Sequence, residues 1–295
     1  MRKISIIGVG RLGGALAIAL ARKDYEIENL IARAPEKAQI IHDFVGGDLL
    51  DFSPKDLSKI TSDVVFIATQ DSEITNVALD LAKNLKSAPV VFHTSGALSS
   101  EILHSLHEIG CKVGSFHPLV SISESILGAN RFENVYFCSE GDTEAVWIAQ
   151  KIATDLGGKS FSIEPKDKAL YHAAAVTASG HLVALIDAAI EMLTKCGADG
   201  DRAREILLPL IASTIDNLNE QTTAQALTGT FARADVETFE KHLEVLKENV
   251  SEEAVDLYLQ LGLRSTDLAE RQGVDPEKLA GIREKISLAK KEMLK

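Results

Sequence analysis

Hydrophobic residues follow two alternating spacings in the first half of the chain. Short apolar runs typical of buried strands are separated by segments with the three-to-four-residue spacing of an amphipathic helix. The predicted strands are 3–9, 27–33, 63–69, 88–95, 111–118, 134–140 and 158–164. The predicted helices between them are 11–22, 35–44, 72–84 and 143–156. Strands that alternate with helices of this length predict βαβ units and a parallel sheet.

The pattern becomes purely helical near residue 164. Residues 166–195 keep helical spacing throughout and contain no proline and one glycine, Gly180. Further helical segments follow at 201–219, 221–228, 235–248, 251–270 and 275–293. We therefore predict an α/β fold with a parallel-sheet domain over 1–164 and an all-helical domain over 165–295.

Composition narrows the possible partners. The chain has 295 residues and a formal net charge of −12, which disfavours binding to nucleic acid because phosphate contacts need a basic surface. Its three cysteines are scattered without a CxxC pair, as is usual in a reducing cytosol. We find no run of about 18 uninterrupted apolar residues, so we expect no membrane span and a cytoplasmic location.

The first 24 residues allow two interpretations. Basic residues before an apolar run suggest a secretory signal, but Arg11 interrupts that run and a glycine pair follows it. The sequence GVGRLG instead stands between a predicted strand and a predicted helix, where glycines allow a tight turn, close approach of a pyrophosphate and close helix packing. We predict a dinucleotide-binding turn, the alternative being a glycine turn that only packs. Its residues are Gly8, Val9, Gly10, Arg11, Leu12 and Gly13.

The end of the second predicted strand indicates the cofactor. NAD-binding proteins usually place Asp or Glu there to bind the ribose hydroxyls. This chain has Ala32 followed by Arg33, and Lys37 comes one helical turn later. Because Arg33 can pair with a 2′-phosphate, we predict NADP(H) rather than NAD(H). The alternative is that Arg33 is an ordinary solvated cation.

Two more loops follow predicted strands at the edge where open α/β sheets bind ligands. The first contains Thr69, Gln70 and Asp71, and the second contains Thr94 and Ser95. We predict that both contact the cofactor near its pyrophosphate and nicotinamide ribose. Each loop alone would also suit the start of a helix, with a capping side chain.

The segment 166–181 carries the predicted catalytic chemistry. At 100° per residue, Lys168, His172 and Ser179 share one narrow stripe with Ala175. We predict His172 and Lys168 as catalytic residues, because an imidazole beside an ammonium suits protonation of a carbonyl oxygen during hydride transfer. The alternative is an alanine-rich core helix with a solvated lysine.

Substrate contacts are predicted from two other places. His117 follows the fifth predicted strand, and Arg233 lies in a glycine-containing turn that also holds Thr228. Arg233 suits a substrate carboxylate through its bidentate geometry. The alternative for His117 is a structural histidine, and the alternative for Arg233 is an exposed arginine in an ordinary turn between helices. No metal site is predicted, since His104 and His107 lack a third ligand.

Five motifs together carry a resemblance that spans essentially the whole chain. They are GVGRLG (8–13), HTSGALS (93–99), GSFHPL (114–119), DKALYHAAAVTAS (167–179) and LTGTFARADVET (227–238). They resemble a bacterial family of Rossmann-like proteins with a C-terminal helical domain of unknown function. That family is related to pyrroline-5-carboxylate reductase, ketopantoate reductase and the deazaflavin-dependent NADP oxidoreductases. The helical domain resembles the C-terminal domain of 6-phosphogluconate dehydrogenase.

The resemblance implies both site and assembly. It places His117, Lys168, Tyr171, His172 and Ser179 opposite the nicotinamide, and it implies a homodimer formed through the helical domain. This chain has Gly180 where the family usually has Asn. It also reads TGT and RAD where the family usually reads TGP and RGD.

The expected function is NADPH-dependent reduction of a small carboxylate-bearing ketone or imine, with a 2-oxo acid such as ketopantoate as the leading substrate. A pyrroline-5-carboxylate-type imine reductase is the alternative enzyme. A non-catalytic NADPH sensor is the other alternative, which the glycine at position 180 favours.

Overall fold

The computed structural model describes residues 2–293, except for the side chains of Pro35 and Lys37. It divides into two units, a sheet unit that ends at Ser179 and a helical unit that begins at Gly180. The division falls later in the chain than the predicted boundary at 164, because the first long helix after the sheet packs with the strands.

The sheet unit alternates strands and helices as the hydrophobic pattern predicts. Its elements are β1 (Lys3–Ile7), α1 (Arg11–Ala21), β2 (Glu26–Ala32), α2 (Pro35–Val45), β3 (Asp48–Asp51), α3 (Pro54–Leu57), β4 (Val64–Ile67), α4 (Asp71–Asn84), β5 (Val90–His93), α5 (His104–Glu108), β6 (Lys112–Pro118), α6 (Ser125–Gly128), β7 (Tyr136–Gly141), α7 (Thr143–Asp155), β8 (Lys159–Ser162) and α8 (Lys168–Ala178). Short 3₁₀ turns at Ser100–Leu103 and Pro165–Asp167 precede α5 and α8. The segment that suggested a secretory signal thus forms a strand, a turn and a helix.

The strands form one eight-stranded sheet in the order β3-β2-β1-β4-β5-β6-β7-β8. Neighbouring strands are parallel except β6 and β7, which pair antiparallel. This mostly parallel sheet followed by a helical region confirms the predicted fold class. Two features of the sheet differ from the prediction: β7 is antiparallel to β6, and strand β3 was missed because Leu50 is its one buried residue. The short helices α3, α5 and α6 were not predicted either.

The core of the sheet is a row of phenylalanines on adjacent strands. Phe66, Phe92, Phe116 and Phe137 are completely buried. Their neighbouring ring centroids lie 5.4, 6.0 and 4.9 Å apart. Burying each ring stabilises the fold by roughly 1.5–3 kcal/mol. The row therefore fixes β4 to β7 side by side, and with them the loops at their ends.

The helical unit contains α9 (Gly180–Lys195), α10 (Gly200–Glu220), α11 (Thr223–Ala226), α12 (Val236–Asn249), α13 (Glu252–Arg271) and α14 (Pro276–Met293). Its core lies between the last three helices, where Phe239, Leu259, Ile282 and Ile286 are fully buried. Asp199, Thr222, Asp235 and Ser251 cap helices, each accepting a hydrogen bond from a backbone N–H three residues on.

The helix predicted over 166–195 is interrupted. Ser179 leaves helical geometry (φ −124°, ψ −73°), so α8 ends before it and α9 begins after it. Ser179 precedes Gly180, and glycine is a weak helix former because it loses the most backbone entropy. The break is also where the chain passes from the sheet unit to the helical unit.

Apolar side chains remain uncovered on α9 and α10. Val183 is 68% exposed and Leu210 is 63% exposed, and Ile206 and Leu208 are exposed beside them. The run Pro165–Lys195 is long and apolar enough to cross a membrane by length and composition alone, with a mean hydropathy of 1.6 and none of that window buried. The core helix of a soluble protein passes the same test.

Candidate functional site

The glycine turn between β1 and α1 has no room for side chains at two of its positions. Gly8 has φ +95°, and a Cβ there would lie 2.7 Å from the Ala68 carbonyl. A Cβ on Gly13 would lie 2.0 Å from the Gly8 oxygen. At Gly10 a Cβ would meet no atom within 4 Å. Packing therefore requires glycine at positions 8 and 13, whereas the backbone at Gly10 faces open space in which a ligand can approach.

A cavity of about 310 Å³ opens beside this turn, and we name it the glycine pocket. It lies where β1 meets β2 on one side and β4 on the other, the point at which open α/β sheets bind nucleotides. Its lining is Ile7, Gly8, Val9, Ile31, Ala32, Arg33, Ala34, Ala38, Phe52, Thr69, Gln70, Glu73 and Val77.

The polar groups of the glycine pocket suit a dinucleotide. No side chain caps α1, so the N–H groups of its first turn, including Arg11 and Leu12, are available to an anion. The buried hydroxyl oxygen of Thr69 has no hydrogen-bond partner among the described residues. An unpartnered hydroxyl and free N–H groups at the same strand ends fit the phosphates and ribose of NAD(P)(H).

Arg33 stands at the edge of the glycine pocket and is already paired. Its Nη2 donates to Oε2 of Glu73, on the first turn of α4. The guanidinium side chain is 67% exposed, so it is accessible to a phosphate. The side chain of Lys37, also predicted to bind the cofactor, lies outside the described part of the chain.

The loops after β4 and β5 are fixed to each other by hydrogen bonds. Ser95 Oγ donates to Asp71 Oδ2 at 2.7 Å and accepts from the backbone of Ala97 and Leu98. Thr94 and Ser95 are buried. Among the residues predicted to bind the cofactor, Asp71 and Ser95 therefore have an evident role in shaping the loops.

A second cavity, of about 540 Å³, lies along β6 and α8, and we name it the histidine pocket. It brings together four predicted residues: His117, Tyr171, His172 and Ser179. The remainder of its lining is Pro118, Leu119, Val120, Ser121, Phe161, Ala174, Ala175, Val176 and Ala178. The walls are mainly apolar, and this lining contains no Lys or Arg side chain.

Lys168 lies behind the histidine pocket. It is 1% exposed, and its ammonium donates to the carbonyl oxygen of Ser95 at 3.0 Å and to Ser115 Oγ at 2.7 Å. Burial lowers the pKa of Lys168, while the Cys138, Glu140 and Asp71 side chains favour its charged form. Lys168 thus fastens α8 to the β5 loop and to β6, and its catalytic pairing with His172 stays a prediction.

His117 and His93 are held neutral. Burial, and then the charge of Lys168, lower the pKa of His117 to about 4 and that of His93 to about 3. His117 Nδ1 shares a hydrogen bond of 2.7 Å with the hydroxyl of Tyr171. Burial raises the pKa of Tyr171 well above its ordinary value, so this hydroxyl keeps its proton.

Gly96 is a site residue that sequence reasoning missed. A Cβ at this position would lie 2.3 Å from His172 Nδ1 and 2.9 Å from His117 Nε2. The two imidazole rings stand edge to face, with centroids 5.9 Å apart. The absence of a side chain at Gly96 therefore makes room for both rings. The HTSG motif pointed to this loop, but only the fold shows what the glycine does.

The remaining predicted substrate residues belong to the helical unit. Arg233 and Thr228 lie on either side of Gly229, which has φ +81°. Their contact with a substrate stays a prediction. Within residues 2–293, no three His, Cys, Asp or Glu side chains are grouped so that they could hold a metal ion.

The fold and the glycine turn define a Rossmann-type nucleotide-binding protein, and comparison with known families agrees. Residues 1–118 match the Rossmann-like domain, and residues 135–265 match a domain of unknown function, DUF2520. The chain thus joins a Rossmann-like domain to a DUF2520 domain, which confirms the family resemblance inferred from the motifs. No curated protein matches the chain significantly in sequence.

Several solved structures are similar over nearly the whole chain. The protein TM1727 from Thermotoga maritima is 27% identical, with a TM-score of 0.73, covering 91% of this chain and 99% of that one. The provisionally named NADP oxidoreductase BF3122 from Bacteroides fragilis is 23% identical (TM-score 0.70, coverage 90% and 98%). A Plasmodium falciparum pyrroline carboxylate reductase with NADP bound is 15% identical (TM-score 0.57, coverage 91% and 98%). The last two likenesses establish a shared fold.

Proposed function

We propose that this protein is an NADP(H)-dependent oxidoreductase that reduces a small carboxylate-bearing ketone or imine. One observation carries the proposal: the glycine pocket and the histidine pocket both open at the same edge of the sheet, and hydrogen bonds join the loops beside them. Asp71 follows the glycine-pocket residue Gln70 and bonds to Ser95, and Ser95 in turn accepts from Lys168 at the base of α8. A dinucleotide lying along this edge would present its two ends to the two pockets.

The residues of the histidine pocket suit the proton side of such a reduction. When bound, NADPH would supply the hydride to the carbonyl or imine carbon. His172 gives a proton to the substrate oxygen or nitrogen, so that C=O becomes CH–OH or C=N becomes CH–NH, and it then regains a proton from solvent. In this scheme Tyr171 is assigned as the donor to His117 Nδ1, so that the neutral His117 carries its proton on Nε2 and donates it in a hydrogen bond to the substrate. Lys168 is a positioning residue in this scheme.

The substrate carboxylate needs a partner. Imidazoles are the basic groups in the lining of the histidine pocket, so His117 is one candidate and Arg233 of the helical unit is the other. A 2-oxo acid such as ketopantoate remains our preferred substrate. The alternative is a cyclic imine such as pyrroline-5-carboxylate, which the fold shared with pyrroline carboxylate reductases supports.

The test is oxidation of NADPH and of NADH, followed by absorbance, against 2-oxo acids and cyclic imines that include both candidates. We expect turnover with one compound. The variant His172→Ala should lose turnover and keep its NADPH affinity within a few-fold, whereas His104→Ala, whose side chain is 74% exposed, should behave as wild type. Wild-type turnover by His172→Ala would remove His172 from the mechanism. Tight NADPH binding without any turnover would favour the sensor.

We further propose a cytoplasmic homodimer formed through the helical unit. The exposed apolar residues of α9 and α10 support this, since a contiguous apolar patch usually marks an interface. Light scattering should give twice the chain mass of 31.8 kDa. Replacing Val183 and Leu210 with Glu should give monomers, whereas Ile40→Glu in the sheet unit should not. Binding to lipid vesicles by a wild-type monomer would contradict the proposal.

A further inference from the structure

We propose that Glu73 competes with the 2′-phosphate of NADP(H) for Arg33 and so weakens the preference of this protein for NADPH over NADH. This inference rests on the proposed function, because it requires a dinucleotide in the glycine pocket. The sequence pattern indicated Arg33 as the phosphate-binding residue but gave no role to Glu73.

The two side chains come from segments that follow two different strands. Arg33 directly follows β2, and Glu73 lies on the first turn of α4, just after β4. Because β1 stands between β2 and β4 in the sheet, Arg33 and Glu73 meet across the end of β1. Both line the glycine pocket with Gly8 and Thr69. Their ion pair thus occupies the end of the pocket at which the adenosine ribose of a Rossmann-bound dinucleotide lies.

Competition follows from the charges. Arg33 has no ion-pair partner other than Glu73 among the described residues. A phosphate monoester carries about −1.5 to −2 charges at pH 7 and forms its strongest contacts with a guanidinium in a bidentate arrangement. To reach Arg33, it must displace the Glu73 carboxylate or lie beside it. The first route breaks an ion pair and the second brings like charges together, so both weaken NADPH binding.

NADH meets no such competition. It carries a hydroxyl in place of the 2′-phosphate, so the ion pair between Arg33 and Glu73 can persist when NADH binds. Glu73 therefore acts selectively against the phosphorylated cofactor. The effect is moderate, because exposed ion pairs contribute little: Arg33 is 67% and Glu73 30% exposed.

The experiment compares nucleotide affinities of Glu73→Gln by titration calorimetry. The probes are NADPH and NADH, with 2′,5′-ADP and 5′-AMP as fragments that differ only by the 2′-phosphate. We expect Glu73→Gln to bind NADPH and 2′,5′-ADP about two- to fivefold more tightly than wild type does. NADH and 5′-AMP should change less than about twofold, and the gain for NADPH should shrink at high salt.

Two further variants isolate the pair. Asp80→Asn removes the same charge from the same helix, where Asp80 pairs with Lys83 instead, and it should change no affinity. In an Arg33→Ala background, Glu73→Gln should give no gain for NADPH. Unchanged or weaker NADPH binding by Glu73→Gln, with wild type binding NADPH, would overturn the inference alone. Failure of wild type to bind either dinucleotide would overturn the proposed function and this inference together.

Discussion

In the glycine pocket the polar groups are backbone N–H groups, one unpartnered hydroxyl and an exposed ion pair, whereas behind the histidine pocket Lys168 is buried and donates hydrogen bonds to Ser95 and Ser115. Arg33 is 67% exposed, and Lys168 is 1% exposed. An exposed cation is solvated by water when its partner is removed. Removing a buried cation instead leaves its hydrogen-bond acceptors without a donor. Changes in the first pocket should therefore alter ligand affinity, and changes in the second should alter stability as well.

The largest expected effect is that of Lys168→Met. This change leaves Ser95 O and Ser115 Oγ without their buried donor, so we expect a loss of about 2–5 kcal/mol in the free energy of unfolding. Urea unfolding measures it. Lys166→Met, two residues away, and Arg33→Ala should each cost less than about 0.5 kcal/mol. Equal losses in the free energy of unfolding for Lys168→Met and Arg33→Ala would contradict the predicted difference between the two pockets.

Gly10→Ala tests the opposite behaviour in the glycine pocket. The new methyl group meets no protein atom within 4 Å, so stability should stay within about 0.5 kcal/mol of wild type. The methyl group would occupy the space through which a pyrophosphate approaches the backbone, and we expect NADPH affinity to fall at least about tenfold, or about 1.4 kcal/mol.

The matched control for Gly10→Ala is Gly200→Ala. Gly200 is the first residue of α10, one position further into its helix than Gly10, and a Cβ there also meets no atom within 4 Å. NADPH affinity should therefore be that of wild type. Unchanged affinity in Gly10→Ala itself would mean that the cofactor does not approach this turn.

The third expected effect is a pH dependence of stability that comes from His117. His117 has a folded-state pKa of about 4, below its ordinary value of 6.5. Above pH 6.5 it is neutral whether folded or unfolded. Between pH 6.5 and 4 the unfolded chain binds a proton that the folded chain does not, so stability falls as the pH falls. His117 should contribute a loss of about 1–2 kcal/mol between about pH 7.5 and about pH 5.

Comparing wild type with His117→Gln isolates that contribution. Glutamine does not titrate and can still form a hydrogen bond with Tyr171. Between the two pH values, the free energy of unfolding of His117→Gln should therefore fall by about 1–2 kcal/mol less than that of wild type. Urea unfolding at each pH measures the difference. Parallel losses in both proteins would show that His117 is not held neutral by the fold.

Features determined by residues that are close together in the sequence could be predicted from the amino-acid sequence alone. The spacing of apolar residues predicted β1, α1 and most later strands and helices, because side-chain periodicity reflects which face of an element is buried. The glycine turn was predicted for the same reason, since Gly8 and Gly13 lie close in sequence to the backbone they accommodate. The helical spacing of residues 166–181 likewise indicated that His172 and Ser179 share a face, and both line the histidine pocket, although Ser179 follows the last residue of α8.

Contacts between distant segments came only with the fold. Lys168 donates hydrogen bonds to Ser95 and Ser115, which precede it by 73 and 53 positions in the sequence. No local pattern distinguishes Lys168 from a solvated lysine on the same stripe. Glu73 reaches Arg33 across 40 residues of sequence because β2 and β4 flank β1. Gly96 is required by two rings from β6 and α8. Periodicity reports which face is buried, whereas the partner on that face depends on the order of strands in the sheet.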